Sequence, residues 1–229
     1  MSRASLTREL PISPLHMLLI LGIMLLWGIN FAVAKTGLLQ LPPIFLVACR
    51  FLLVGALLLP FAKQPRGQWG AIFGISVTLG LLHFSVMFNA LKDIDAATAA
   101  IAIQLQVPFA SLLAAIFFGD KLGWRRALGM LIAFLGVAVI AGEPRLNGQY
   151  LALGMVIGAS FIWSIANVQI KKLDPIDGVS LNAWVALFST PMLFAASFIL
   201  ESGQIDALQA ANFWAYFAVV YQAVAVVVI

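Results

Sequence analysis

The chain has 229 residues, of which 63% are hydrophobic and only 10% charged, with a net charge of +4. Soluble domains carry about 25% charged residues, so a water-soluble globule is excluded and a bilayer is the solvent this composition requires. The positive charges stand singly between apolar runs rather than on one patch, which argues against nucleic acid as a partner.

The first apolar run, 17–34, follows Arg3 and Arg8 and is longer than the roughly 7–15 residues of a signal-peptide core. It reads as a retained helix of roughly 27 Å. Stretches free of Asp, Glu, Lys and Arg mark the rest, because a charge at mid-bilayer costs about 2.5–3.5 kcal/mol. They predict further helices at 43–62, 69–91, 96–119, 127–142, 148–170, 179–200 and 207–229. The fifth has few uncharged residues, so its ends must draw on loop residues or local thinning. Membrane strands are excluded, since barrels need roughly 10-residue alternating segments and these runs are longer and apolar all round. The expected class is an all-α integral membrane protein with eight transmembrane helices.

Charge sets the orientation. With the N-terminus inside, the cytoplasmic segments hold Arg3, Arg8, Lys63, Arg66, Lys121, Arg125, Arg126, Lys171 and Lys172. The opposite side holds Lys35, Lys92 and Arg145. The positive-inside rule then places the N-terminus in the cytoplasm.

The chain also echoes itself. Trp27 and Lys35 stand eight residues apart, as do Trp163 and Lys171, at an offset of 136 residues. The second copy lies five spans later and therefore runs antiparallel to the first. Inverted repeats of this kind are a transporter device, with the substrate near the midplane. The expected division is a first repeat over 1–145 and an incomplete second repeat over 146–229. On that reading two more helices would follow, and the sequence is expected to be a fragment or an early stop.

These residues resemble the EamA-like family of the drug/metabolite transporter superfamily. The resemblance rests on Trp27, Gly28, Asn30, Phe31 and Lys35, then Pro42-Pro43 and Arg50-Phe51. It continues with the alanines from Ala96 to Ala100, Pro108, Gly119-Asp120-Lys121, Gly129, Gly136 and the restart at Trp163. Asp120 stands where the family more often has glutamate. The resemblance implies ten helices in two inverted five-helix repeats, moving small metabolites across the bacterial inner membrane. The first helices are most similar to exporters of amino-acid metabolites.

Polar groups inside a membrane helix are costly unless they face a partner or a wet cavity. Arg50 is the only formal charge well inside a span, and it can either snorkel outward or hold an anionic group. His83 can relay protons or simply pack as a hydrogen-bonded residue. Trp27 and Trp163 can wall a pocket or pack closely, and Asn30 shares a face with Trp27. Gln104 precedes Pro108 by four residues, where the proline frees a backbone carbonyl. Asn167 completes the substrate-pocket candidates. Lys35 and Lys171 are expected as interfacial anchors. Ala96/Ala100 and Gly154/Gly158 are expected as helix-packing pairs.

No embedded acid, phosphate loop or Cys/His cluster occurs in the sequence, so no cofactor, metal or direct ATP coupling is expected. The expected partners are a small-molecule substrate and the lipid bilayer, with homodimerisation left open. The competing readings are a truncated or accessory membrane protein without transport activity and, more remotely, a membrane-embedded enzyme.

Overall fold

The computed structural model describes residues 13–143, 146 and 148–228. Arg3, Arg8, Arg145 and Ile229 lie outside the described residues. All regular structure among the described residues is helical, and seven helices are long and apolar enough to cross a membrane. They are α1 (Leu15–Leu38 within Pro14–Leu38), α2 (Pro43–Phe61), α3 (Trp69–Asp93), α4 (Ala96–Phe118), α5 (Trp124–Ala141), α6 (Tyr150–Lys171) and α7 (Gly178–Leu200).

Local chemistry sets the helix ends. Pro14 occupies the first turn of α1 behind the Ser13 cap, and Pro43 starts α2. Asp95 caps α4 by accepting from the Thr98 amide at 2.9 Å. Gly119 ends α4 at φ 67°, a left-handed conformation that glycine adopts without a Cβ clash. α5 begins at Trp124, so it draws Trp124, Arg125 and Arg126 from the preceding loop, as its short apolar run required.

The stretch expected as an eighth span is divided. A short helix α8 (Gln204–Ala210) is followed by α9 (Phe213–Ala223), which continues as the π-helical turn Val224–Val228. Asn212 makes the break. Its side chain accepts from the Trp214 amide at 2.9 Å, and it exchanges two hydrogen bonds with Gln40 of the α1–α2 turn. A charge count passes over this uncharged cap.

α2 is the centre of the bundle. Its apolar window is 56% buried, against 6% for α1 and α5, whose outward faces present Leu18, Met24, Leu131 and Val139. α2 packs along α7, and the two run antiparallel. At one end Glu201, just after α7, accepts from the Ile44 and Phe45 amides of α2 at 2.7 and 3.0 Å. At the other end the Lys63 amide donates to Ser180 Oγ at 2.8 Å, and Trp184 Nε1 donates to the Lys63 carbonyl at 2.7 Å. α1 packs on α9, and α3 packs on α6.

Alternation of the loops between two faces follows. Lys35 donates to the Leu91 and Ile94 carbonyls, so the α1–α2 and α3–α4 connections share a face. The opposite face joins Lys171 to Asp120 at 3.7 Å and the Asp174 amide to Gln68 Oε1 at 2.9 Å. Among the described residues of the loops and helix ends, seven basic side chains lie on this second face, Lys63, Arg66, Lys121, Arg125, Arg126, Lys171 and Lys172. Lys35 and Lys92 lie on the other. Lys35 is thereby more than an anchor. Its ammonium satisfies carbonyls at the C-terminal end of α3, where the helix dipole favours a cation.

The close helix approaches are not at the glycine pair expected to pack. A Cβ on Gly154 or Gly158 would meet nothing within 4 Å. The tight glycines are Gly37, whose added Cβ would stand 2.9 Å from Ala218 Cβ, and Gly80, which lies against Ser189 of α7.

Asp177 caps α7. The amide and hydroxyl of Ser180 donate to its carboxylate and hold the carboxyl below the usual aspartate range. A depressed folded value means a contribution that is complete above the unfolded pKa and lost as pH falls through the folded one. Thermal unfolding in detergent, followed through the tryptophan fluorescence of the chain, is therefore expected to lose stability below the usual aspartate range. In Asp177→Asn that part of the acid slope is expected to vanish, and an unchanged slope would count against the cap's contribution.

Candidate functional site

The bundle interior gathers four of the seven pocket candidates. Arg50 projects from the middle of α2 and is 4% exposed. Its guanidinium lies over the Phe84 ring at 4.4 Å from the centroid and over the Phe51 ring at 5.6 Å, and Nη1 donates to Gln222 Oε1 of α9 at 3.2 Å. Desolvated cation–π contacts are worth about 2 kcal/mol each or more, which offsets part of the burial cost of the charge. Arg50 therefore stays inside rather than snorkelling outward.

His83 neighbours this group on α3. Its Nδ1 is 2.8 Å from the Ala159 carbonyl of α6, and its ring meets Phe84 at 4.8 Å and Trp163 at 4.9 Å, both edge-on. Trp163 also faces Phe84 at 6.3 Å. Asn30 of α1 joins through its backbone carbonyl, which accepts from Gln222 Nε2 at 3.4 Å. The chain of contacts therefore runs from Asn30 through Gln222, Arg50 and Phe84 to His83 and Trp163. It draws on α1, α2, α3, α6 and α9.

The backbone beneath this cluster is irregular. α3 is π-helical from Ser76 to His83, and Phe84 is the first residue after that stretch. Wide turns of this kind are rare and frequent at functional positions. In α4 a 3₁₀ turn at Ile103–Leu105 precedes Pro108, the irregularity expected from the proline.

The remaining candidates lie elsewhere. Trp27 is 55% exposed on α1. Asn167 lines a cavity of about 350 Å³ between α4 and α6 at the strongly basic face, together with Gln106, Ser111, Asp120 and Arg126. Gln104 lines a smaller cavity of about 240 Å³ against α5, walled by Ile101, Ala133 and Val137. Its amide oxygen accepts from Gln106 Nε2 at 3.4 Å.

Gln222 and Phe84 complete the interior cluster and were not among the pocket candidates. Gln222 was visible as one of the few polar residues in an apolar run. Phe84 carried no signal, because an aromatic ring in a membrane helix is ordinary until a cation is found against it. Among the described residues no group of three or more His, Cys, Asp or Glu could hold a metal ion.

The EamA-like transporter family matches residues 14–142, more than half of the chain. The chain belongs to the EamA-like transporter family. A "Probable amino-acid metabolite efflux pump" of Escherichia coli (strain K12) is 33% identical over 191 residues, covering 80% of this chain and 64% of that protein. The "Uncharacterized transporter YoaV" of Bacillus subtilis (strain 168) is 26% identical, covering 81% of this chain and 68% of that protein. One solved crystal structure superposes with a TM-score of 0.63 at 20% sequence identity, over 92% of this chain and 74% of that chain. At that identity the likeness concerns the fold alone. This EamA-like chain thus spans just under two thirds of the length of the efflux pump it matches. It is a multi-pass helical membrane protein whose polar interior residues meet between helices distant in sequence.

Proposed function

We propose that this protein is a secondary transporter that exports small, amino-acid-like metabolites across the bacterial inner membrane by alternating access. The observation that carries the reading is the buried Arg50 cluster. A charge deep in a membrane bundle is costly, and such residues mark substrate pathways by default. Here it stands where α2 and α3 meet α6 and α9.

The helix contacts support two inverted repeats over 1–145 and 146–229, the second part of a five-plus-five arrangement. An offset of 136 residues carries α1 onto α6, α2 onto α7 and α3 onto α9. Under that exchange the α2–α7 pair maps onto itself, and the α1–α9 contact maps onto the α6–α3 contact. A pseudo-two-fold axis through the α2–α7 seam has this signature. Rocking of the two halves about that seam would open the Arg50 cluster to either side in turn. The excess of basic loops on one face supports an N-terminus in the cytoplasm. The names of the relatives support amino-acid metabolites as the substrate class.

Reconstituted proteoliposomes test the reading. Loaded with an equimolar mixture of the standard amino acids, they are expected to release part of it faster than protein-free vesicles. Arg50→Gln is expected to lower that release at least tenfold while leaving the elution profile of the protein unchanged. Release no faster than from loaded protein-free vesicles would overturn the transport reading.

A further inference from the structure

Two buried atoms of opposite hydrogen-bonding sense flank Gln222. The Arg50 Nε–H, a donor, is buried without a partner, and so is Asn30 Oδ1, an acceptor. Ser85 Oγ and Gln169 Oε1 are the other such atoms among the described residues. Gln222 is fully buried and spans the gap, accepting from Arg50 and donating to the Asn30 backbone. Arg50 has no ion pair among the described residues, so its charge is balanced only by ring faces and one amide oxygen.

We propose that Arg50 and Asn30, bridged by Gln222, form a subsite for a small zwitterion. Its carboxylate docks on the Arg50 Nε edge and its ammonium on Asn30 Oδ1. The subsite rests on the transport reading above and gives it a recognition chemistry.

Three features fix the ligand class. Phe84 lies against the guanidinium at 4.4 Å and Gln222 takes Nη1, which leaves the Nε–H edge without a partner, and that edge matches a carboxylate in a two-pronged fit. A buried guanidinium without a counter-ion carries a desolvation penalty, which an arriving anion relieves. Asn30 offers an uncharged oxygen, enough to receive an ammonium without adding a second buried charge. A ligand with only the carboxylate leaves Asn30 Oδ1 unsatisfied, and one with only the ammonium leaves Arg50 unbalanced.

The full chain in nanodiscs, labelled with ¹⁵N-arginine, reports on the subsite directly. Arg50→Lys assigns the Arg50 Nε–H resonance by its loss. An equimolar mixture of the standard amino acids is expected to shift that resonance saturably. The same amino acids as methyl esters, lacking the carboxylate, are expected to give less than about a tenth of the shift. As N-acetyl derivatives they are expected to shift it with about tenfold weaker apparent affinity, the loss of one hydrogen bond from a charged donor. Asn30→Leu is expected to erase the difference between free and N-acetylated forms. A resonance that amino acids do not move, or that esters move equally, overturns the subsite. Efflux of the same mixture separates the two readings. Flux with an unmoved Arg50 resonance overturns the subsite and leaves transport standing. A moved resonance without flux supports the subsite and overturns transport.

Discussion

Gly80→Ala is expected to break the crossing of α3 over α7. An added Cβ at this position would stand 1.8 Å from Ser189 Oγ and 2.5 Å from Ser189 Cβ. Both serine atoms are close to the backbone and fully buried, and Ser189 Oγ reaches the Ser76 carbonyl at 3.3 Å. A rotamer change clears the hydroxyl but not the Cβ, so the helices must separate. Overpacking a well-packed interior costs about 1–3 kcal/mol, and here two rigid helices must move together, which places the effect at the upper end. The readout is the midpoint of thermal unfolding and the fraction eluting as a single species in detergent. Both are expected to fall for Gly80→Ala. Gly80→Ala with Ser189→Gly restores the space and is expected to recover most of the loss. If the double variant is no better than the single one, the clash is not the cause.

That crossing also shows where sequence reading stops. Gly80 looks like any other glycine in an apolar run, whereas Gly154 and Gly158 carry the four-residue spacing expected of a packing pair. Spacing says that a helix can be approached closely, and only the partner decides whether it is. Span positions were legible because charge is excluded from the hydrocarbon core, and α2, α6 and α7 begin within two residues of the expected positions. The Asn212 break was not, because its cause is Gln40, 172 residues away. Histidine makes the same point. His83 has no carboxylate on neighbouring turns of its own helix, and its partner is a backbone carbonyl of α6. Arg50 stood out as the one charge within a span, but the rings and amide around it come from three different helices.

Glu201→Ala is expected to unfasten α2 from α7 at the less basic face. The carboxylate takes the Ile44 amide on one oxygen at 2.7 Å and the Phe45 amide on the other at 3.0 Å. Ser197 Oγ donates to the second oxygen at 2.6 Å. The α2 amides are orphan donors of a first turn begun by Pro43, and Pro42 supplies no side-chain cap of its own. An acid at this end also meets the positive pole of the helix dipole. Hydrogen bonds to a charged group contribute about 1.5–3 kcal/mol each in buried settings. Glu201 is half-buried, so the alanine variant is expected to lose about 2–3 kcal/mol in all rather than the sum. Glu201→Gln keeps one acceptor and drops the charge, so it should fall between alanine and the natural residue. Hydrogen exchange reads the effect locally, with the Ile44 and Phe45 amides expected to lose protection before the Lys63 end of the same helix. Equal loss at both ends would mean that Glu201 supports the bundle as a whole and is not a cap on α2.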